Sequence, residues 1–182
     1  QELRVRDRAL QSASTGGAGQ GGNMILTVTD LIEIHGNGYE ALQGLLLRAL
    51  QGTLDISAVE SGLLAGSGGA GNAGQLLIDT AQLNLLDGAI ISTTTSGNGA
   101  GGNAEVTATD AVNIVGSILL TGTLQGTTQQ AGDLMLETQR LSLRDGGLLQ
   151  TFTFGSGQGG KLPIKARDSV ELLNTPIGAL AP

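Results

Sequence analysis

Three stretches of this chain align with one another without a gap. They run LRVRDRALQSASTGGAGQGG from Leu3, LNLLDGAIISTTTSGNGAGG from Leu83 and LSLRDGGLLQTFTFGSGQGG from Leu141. Each ends on a pair of glycines, and the pairs close at Gly22, Gly102 and Gly160. Self-similarity in a fixed register is typical of repeat architectures, in which each unit is stable only against its neighbours. The chain is therefore predicted to form a segment of a rod, with these glycines at its turns.

The residues after each pair of a small residue and a glycine fall into two alternating forms. One form begins at Asn23, Asn103 and Lys161, and the other begins at Gln75 and Asp133, which are 58 residues apart. Apolar and polar residues alternate within both forms, as in short strands with one buried face. Each unit has room for three such strands. Parallel strands need no helical crossover if the chain winds onto its own previous circuit. The sequence thus predicts an all-β parallel β-helix of about six to seven coils, where a coil is one complete circuit.

One segment departs from this pattern. The interval from Asn23 to Asn103 is 80 residues, which is 22 more than the usual two-coil spacing of 58. Apolar residues between Tyr39 and Leu50 have helical spacing, although Gly44 in the middle weakens a helix. Residues 37–60 are therefore predicted to be an irregular insertion, either with a short external helix near residues 39–50 or with an extra coil. Residues 1–182 as a whole are predicted to be a single β-helix segment of a longer solenoid.

Composition excludes several classes of protein. Glycine takes 31 of 182 positions without recurring every third residue, so the chain is not collagen-like. The net charge is −7 and most basic residues are scattered, which disfavours nucleic-acid binding because phosphate neutralisation needs a concentrated basic face. The sequence contains no run of about 18 apolar residues, so no membrane-spanning helix is predicted. Cysteine is absent, so neither a disulfide nor a Cys-based metal site is expected.

Acidic residues recur at matching places in the three repeats. They are Asp7, Asp87 and Asp145, and Gly88 and Gly146 follow the last two. At a turn, Asp accepts backbone hydrogen bonds and the next Gly supplies the positive φ that the turn requires. A catalytic reading is weaker, because a coil of the other form separates these acids by about 10 Å. The chain is therefore predicted not to be an enzyme.

Other chemical motifs also have structural explanations. GNGAGG, from Gly97 to Gly102, matches G-x-G-x-x-G, but a strand-like segment follows it where a dinucleotide site needs a helix. The glycine-rich turns lack the Asp of calcium-binding β-rolls. His35 is the sole histidine, so it cannot form a His cluster, and it is predicted to be a partly covered turn residue. No cofactor and no metal are expected.

Hydroxyl and aromatic residues are the remaining candidates for contacts. Ser12 to Thr15, Ser92 to Thr95 and Thr151 to Thr153 occupy one corresponding strand. A stacked Thr face would suit an ice-binding solenoid, but Thr is also a good exposed-strand residue, and residues 119–123 are expected to interrupt the array. The candidate partner contacts are Tyr39, Phe152 and Phe154, and the last two, on alternate positions, could form a small apolar patch.

The repeat motifs resemble the repeat region of filamentous haemagglutinin-like exoproteins, particularly the cyanobacterial type. The strings that carry the resemblance are AGDLMLETQRLSLRDGG, LLQTFTFGSGQGGKLPIKARDSVEL and SGLLAGSGGAGNAGQLLIDTAQLNLLDGA. The resemblance covers nearly the whole chain except the region around residues 37–60. It implies a right-handed β-helix, two-partner secretion through an outer-membrane transporter, and a role in adhesion or surface filaments.

These observations lead to a functional expectation. The chain is expected to be a structural repeat segment of a secreted or cell-surface, outer-membrane-associated adhesin or filament, acting as a stiff spacer or adhesive rod. Expected partners are a cell-surface or matrix polysaccharide or protein, and a further copy joined end to end through unpaired strand edges. The alternative is a β-helix that binds or cleaves polysaccharide, which would need convergent acids and bases on one face. Ice binding is a lesser alternative.

Overall fold

The computed structural model describes residues 1–51, 59, 61–124 and 128–174. One helix, α1, spans Tyr39–Leu50. The strands are β1 Glu2–Val5, β2 Leu10–Ser12, β3 Met24–His35, β4 Gly62–Leu64, β5 Leu76–Leu86, β6 Ile90–Thr95, β7 Ala104–Val115, β8 Ile118–Thr123, β9 Leu134–Arg144, β10 Leu148–Thr153 and β11 Ile164–Leu173.

The strands form two parallel sheets. Sheet A has the order β1-β3-β5-β7-β9-β11, and sheet B has the order β10-β8-β6-β4-β2. The chain therefore passes alternately through the two sheets, and each strand lands beside its counterpart from the previous coil. This is a parallel β-solenoid of about five coils, which confirms the predicted all-β fold and lies close to the predicted number of coils.

A bulge bends each long strand of sheet A. In β5 the pairing register with β7 shifts between Thr80 and Gln82. The buried positions of β5 are 76, 78 and 80 before the shift, and 83 and 85 after it. Here two residues of β7, Thr109 and Asp110, oppose the single Ala81 of β5. Such a bulge bends the strand, and both halves face the core. The three strands predicted for each unit correspond to the two halves of a sheet A strand and one strand of sheet B.

Aliphatic side chains stack in columns along the interior. Ile32, Leu83 and Val112 are fully buried and lie in direct register with one another. The same column extends in both directions, so the Leu3, Leu83 and Leu141 stretches share one axis. Burial of apolar area at about 25 cal/mol per Å² makes such columns the main stabilising feature of the fold. The column consists of Leu3, Ile32, Leu83, Val112, Leu141 and Val170.

The 22 surplus residues do not add a coil. Strand β3 pairs directly with β5, and β4 pairs directly with β2 and β6. Residues 39–50 instead form α1, which confirms the helical alternative. Glu40 in its first turn and Arg48 in its last turn both suit the helix dipole. Within the predicted insertion, residues 52–58 and 60 lie outside the described residues.

Candidate functional site

The outer face of sheet B is apolar and is covered by α1. Every residue of β6 and β8 is buried, although only alternate side chains point to the core. The outward side chains of Ile90 and Ile118 belong to an apolar cluster with Leu42 of α1, which is 1% exposed. We call this surface the covered face. Its outward apolar residues are Leu64, Ile90, Ile118, Leu120, Leu148 and Phe152.

Tyr39 anchors the start of α1 on the wall of the solenoid. A Cβ atom on Gly146 would lie within 3.0 Å of the Tyr39 ring, and one on Gly116 would lie 3.7 Å from it. The ring therefore lies against two turn glycines from neighbouring coils, and a side chain at Gly146 would displace it. The sequence placed Tyr39 among the partner contacts, and in the structure its ring is half-buried in this internal contact.

Phe152 and Phe154 lie together at one end of β10. Their ring centroids are 5.0 Å apart and the rings are tilted by 43°, a geometry that aromatic pairs favour. The Phe152 ring packs over Gly122 and is part of the covered face. Phe154 is 39% exposed. The structure thus brings these two candidate contacts into one small patch, in which Phe154 offers the accessible ring.

The acidic turns have left-handed backbone conformations. Asp87 and Gly88 have φ values of 56° and 82°, and Asp145 and Gly146 have 48° and 89°. Two successive positive φ values define the turn type that Asp-Gly favours. Asp7 has the same conformation, with a φ of 56°. The sequence predicts that the Asp87 carboxylate accepts backbone hydrogen bonds. In the structure, its Oδ2 lies 3.2 Å from Nδ1 of His35.

Glycines from five coils stack directly on one another, and we call this stack the glycine ladder. The carbonyl oxygen of each ladder glycine fills the space that a Cβ on the next one would need. The sequence repeats identified three of its members, and they missed Gly74 and Gly132. The signal was present, because each of these two immediately precedes the start of a unit, at Gln75 and Asp133. The ladder consists of Gly22, Gly74, Gly102, Gly132 and Gly160.

Threonines line the interior beside this ladder. Thr93, Thr121 and Thr151 are in direct register. Their hydroxyls donate to the carbonyl oxygens of Gly102, Gly132 and Gly160 at 2.6, 2.6 and 2.9 Å, respectively.

These positions correct one sequence prediction and qualify another. Thr93 and Thr121 have no exposed surface, so the prediction of exposed threonines is wrong. The prediction that residues 119–123 interrupt the array is confirmed on the outward face, where Leu120 and Gly122 lie in register with Ser92 and Thr94. Thr121 continues only the inward column. A threonine hydroxyl can enter the core here because a glycine carbonyl accepts its hydrogen bond. The exposed threonine face on which ice binding depended is therefore absent from this strand.

Four charged or titratable residues meet at the root of α1. The ring of His35 lies between two carboxylates, with Nε2 at 3.3 Å from Glu33 Oε1 and Nδ1 at 3.2 Å from Asp87 Oδ2. Arg6 forms an ion pair with Glu33. The Arg6 guanidinium, and to a smaller extent His35, hold the pKa of Glu33 below its usual value. We call Arg6, Glu33, His35 and Asp87 the root cluster. It joins three successive coils, and the sequence predicted only that His35 is a partly covered turn residue.

A shallow polar groove runs along the outer face of sheet A. Gln82, Asn113 and Ser142 lie in it. The nearby carboxylates are already engaged, because Asp110 pairs with Arg140 at 2.5 Å and Glu171 pairs with Arg144. Within the described part of the chain, no three His, Cys, Asp or Glu side chains are close enough to hold a metal ion. The groove can therefore donate and accept hydrogen bonds, but its carboxylates are held in ion pairs.

No protein family, curated protein or solved structure matches this chain. Among the helical residues that the structure describes, no helix is both long and apolar enough to cross a membrane.

Proposed function

We propose that this chain is a non-enzymatic structural segment of a secreted or cell-surface filament of the filamentous haemagglutinin-like kind, and that it acts as a stiff spacer. The single observation that carries the proposal is the unbroken stacking of sheet A, in which six strands keep equivalent positions in register. Such a stack holds its two ends at a fixed separation.

Three contacts that recur along the axis support stiffness. The aliphatic columns fill the interior, the glycine ladder lets neighbouring backbones touch, and the threonine hydroxyls bond to that ladder. In repeat proteins each unit contacts only its neighbours, so stability grows with every interface. Close-packed interiors have low compressibility. The rod is therefore expected to bend little between its ends.

The repeat motifs support the location of the rod. Their resemblance to secreted filament proteins favours export by the two-partner route. Absence of cysteine suits a chain that must fold after export without disulfides. Antibodies raised against the purified chain should label intact cells of the source organism. Labelling of permeabilised cells alone would contradict an exported location.

The spacer role predicts a fixed distance along the axis. Glu2 and Ser169 lie in one column of sheet A, five strand spacings apart. Because the chain has no native cysteine, Glu2→Cys and Ser169→Cys can carry two spin labels. Pulsed electron resonance should give a narrow distribution centred near the backbone separation of about 24 Å, plus the label arms. A broad distribution under native conditions would contradict a stiff spacer. The same protein in denaturant supplies the broad reference.

Binding and hydrolysis assays distinguish the spacer proposal from the alternative functions. The spacer proposal expects neither glycan-array binding nor polysaccharide hydrolysis by the purified chain. Either activity would favour a polysaccharide-binding or polysaccharide-cleaving protein, and binding would direct attention to Phe154 and to the polar groove on sheet A.

End-to-end association stays a prediction. Val170 and Leu172 of β11 are 55% and 62% exposed although their columns are buried in earlier coils. Exposed strands of this kind are templates for pairing with another chain. Sedimentation equilibrium at increasing concentration tests the prediction, and a monomer throughout would contradict it.

A further inference from the structure

His35 connects the solenoid to the root of α1. It is the only histidine in the chain and the last residue of β3, and only Gly36, Asn37 and Gly38 separate it from α1. Each of its ring nitrogens faces a carboxylate, Glu33 in its own coil and Asp87 in the next. We propose that His35 is a charge-dependent clasp that holds the root of α1 to the solenoid firmly when its ring is protonated and more loosely when the ring is neutral.

The number of donors on the ring carries this inference. A protonated imidazole has two N–H donors, whereas a neutral imidazole has one N–H donor and one acceptor nitrogen. Both ring nitrogens of His35 lie at 3.2 to 3.3 Å from carboxylate oxygens. In the neutral ring one of these contacts would bring a lone pair against a carboxylate oxygen, so that contact must open. Only the charged ring satisfies both carboxylates together.

The surrounding charges keep the carboxylates available. Arg6 pairs with Glu33 from the preceding coil and keeps its pKa below the usual value. Glu33 therefore stays ionised over the range from about pH 5 to 8 in which imidazole side chains change charge. Asp7 and Arg8 line the same hollow as His35, so they are further charged groups beside the ring.

Asp87 transmits the state of the clasp to the helix. Its backbone carbonyl accepts a hydrogen bond from the Gly38 N–H at 2.6 Å. The Gly38 carbonyl in turn accepts the bond from Leu42 N at 3.3 Å, which belongs to the first turn of α1. When the ring releases Asp87, the turn that supports Gly38 loses a restraint. The first turn of α1 should then open more often.

Amide hydrogen exchange tests the clasp. Protection factors for α1, corrected for the intrinsic effect of pH, should be about two- to fivefold higher at pH 5.5 than at pH 8, which is the range that partly exposed ion pairs supply. His35→Gln has no titrating ring and should remove this ratio. Asp87→Asn should reduce it. Asp145→Asn is the matched control, because it changes an acid at the same turn position in another coil and should leave the ratio unchanged.

Several outcomes would overturn the proposal. They are equal protection at the two pH values in the native protein, the native ratio in His35→Gln, or an equal loss of the ratio in Asp145→Asn. The His35 ring resonances should also titrate in step with the α1 amides, and independent titrations would count against the clasp. Far-ultraviolet circular dichroism shows whether each variant retains the strands, and the titration of the native protein needs no variant.

Discussion

The carbonyl oxygen of Gly74 occupies the space that a Cβ atom on Gly102 would need. The separation would be well under 3.0 Å, which real Cβ atoms essentially never show. Neighbouring coils therefore approach as closely as two backbones can at this corner. The same relation recurs at every step of the glycine ladder, so the ladder sets the local spacing of the coils.

Gly102→Ala should consequently be strongly destabilising. The added methyl group must push two backbones apart, and overpacking of this kind costs about 3 kcal/mol. Chemical denaturation should show a correspondingly lower free energy of unfolding. Gly159→Ala is the control, because a Cβ there would meet nothing within 4 Å. Similar unfolding free energies for the two variants would disprove the steric account of the ladder.

Thr121→Val should destabilise the rod although it preserves the shape of the side chain. The buried Thr121 hydroxyl donates to the carbonyl oxygen of Gly132 at 2.6 Å. Valine removes this donor from a site that water cannot reach, which costs about 1 to 2 kcal/mol. Urea denaturation measures the change. An unaltered midpoint would mean that the hydroxyl bond adds nothing to stability.

Ser67→Ala, unlike Thr121→Val, should not lower the free energy of unfolding. Among the described residues, the Ser67 hydroxyl is the buried side-chain group without a hydrogen-bond partner. Removing an unsatisfied buried hydroxyl recovers its desolvation penalty, so the variant should equal the native protein or gain about 1 kcal/mol. The same urea experiment applies. A clear loss would show that this hydroxyl does have a partner in solution.

Leu42→Ala should release α1 from the covered face. Leu42 is 1% exposed within the apolar cluster, and truncating such a residue costs about 3 kcal/mol. Limited proteolysis should cut within residues 39–50 more quickly, while circular dichroism continues to show the strands. Leu47→Ala is the matched control on the same helix, because Leu47 is 49% exposed. If both variants are cut at the same rate, α1 is not held through Leu42.

The unfolding free energy should fall with acid partly because of Glu33. Arg6 lowers the pKa of the folded Glu33 carboxyl from its ordinary value, so the fold favours the ionised form. The stabilisation from the ionised Glu33 is fully present above the pKa of the unfolded state. It is lost as the pH falls through the lower pKa of the folded state. Arg6→Gln should therefore flatten the dependence of the urea midpoint on pH between about pH 6 and 3. Parallel curves for the two proteins would exclude this linkage.

The solenoid fold was predictable because its signals are local and repeated. Period-two apolar residues around Leu83 and Leu85 define a one-sided strand, and the repeats place such strands in register. The helix was only one of two alternatives, since Gly44 lowers the intrinsic preference for helix. Burial of Leu42 against Ile90 and Ile118 decides the outcome, and that contact joins residues that are distant in sequence.

The candidate site was less predictable, because it depends on contacts between coils. Thr121 has the same propensity on an exposed strand as in the core, and only the Gly132 carbonyl makes its burial favourable. Similarly, His35 is unremarkable at the end of its strand until the next coil brings Asp87 to its ring. Sequence spacing gives the register of the coils, but the partners of polar side chains follow from their stacking.

The glycine ladder also allows the gene to alter rod length. Gly74 and Gly132 stand at equivalent places before Gln75 and Asp133, so unequal recombination between these points inserts or deletes 58 residues. At the recombined junction a ladder glycine again contacts a ladder glycine of the neighbouring coil, and each new interface between coils repeats one that already exists. Reach would then change in increments of about 10 Å, equal to two strand spacings.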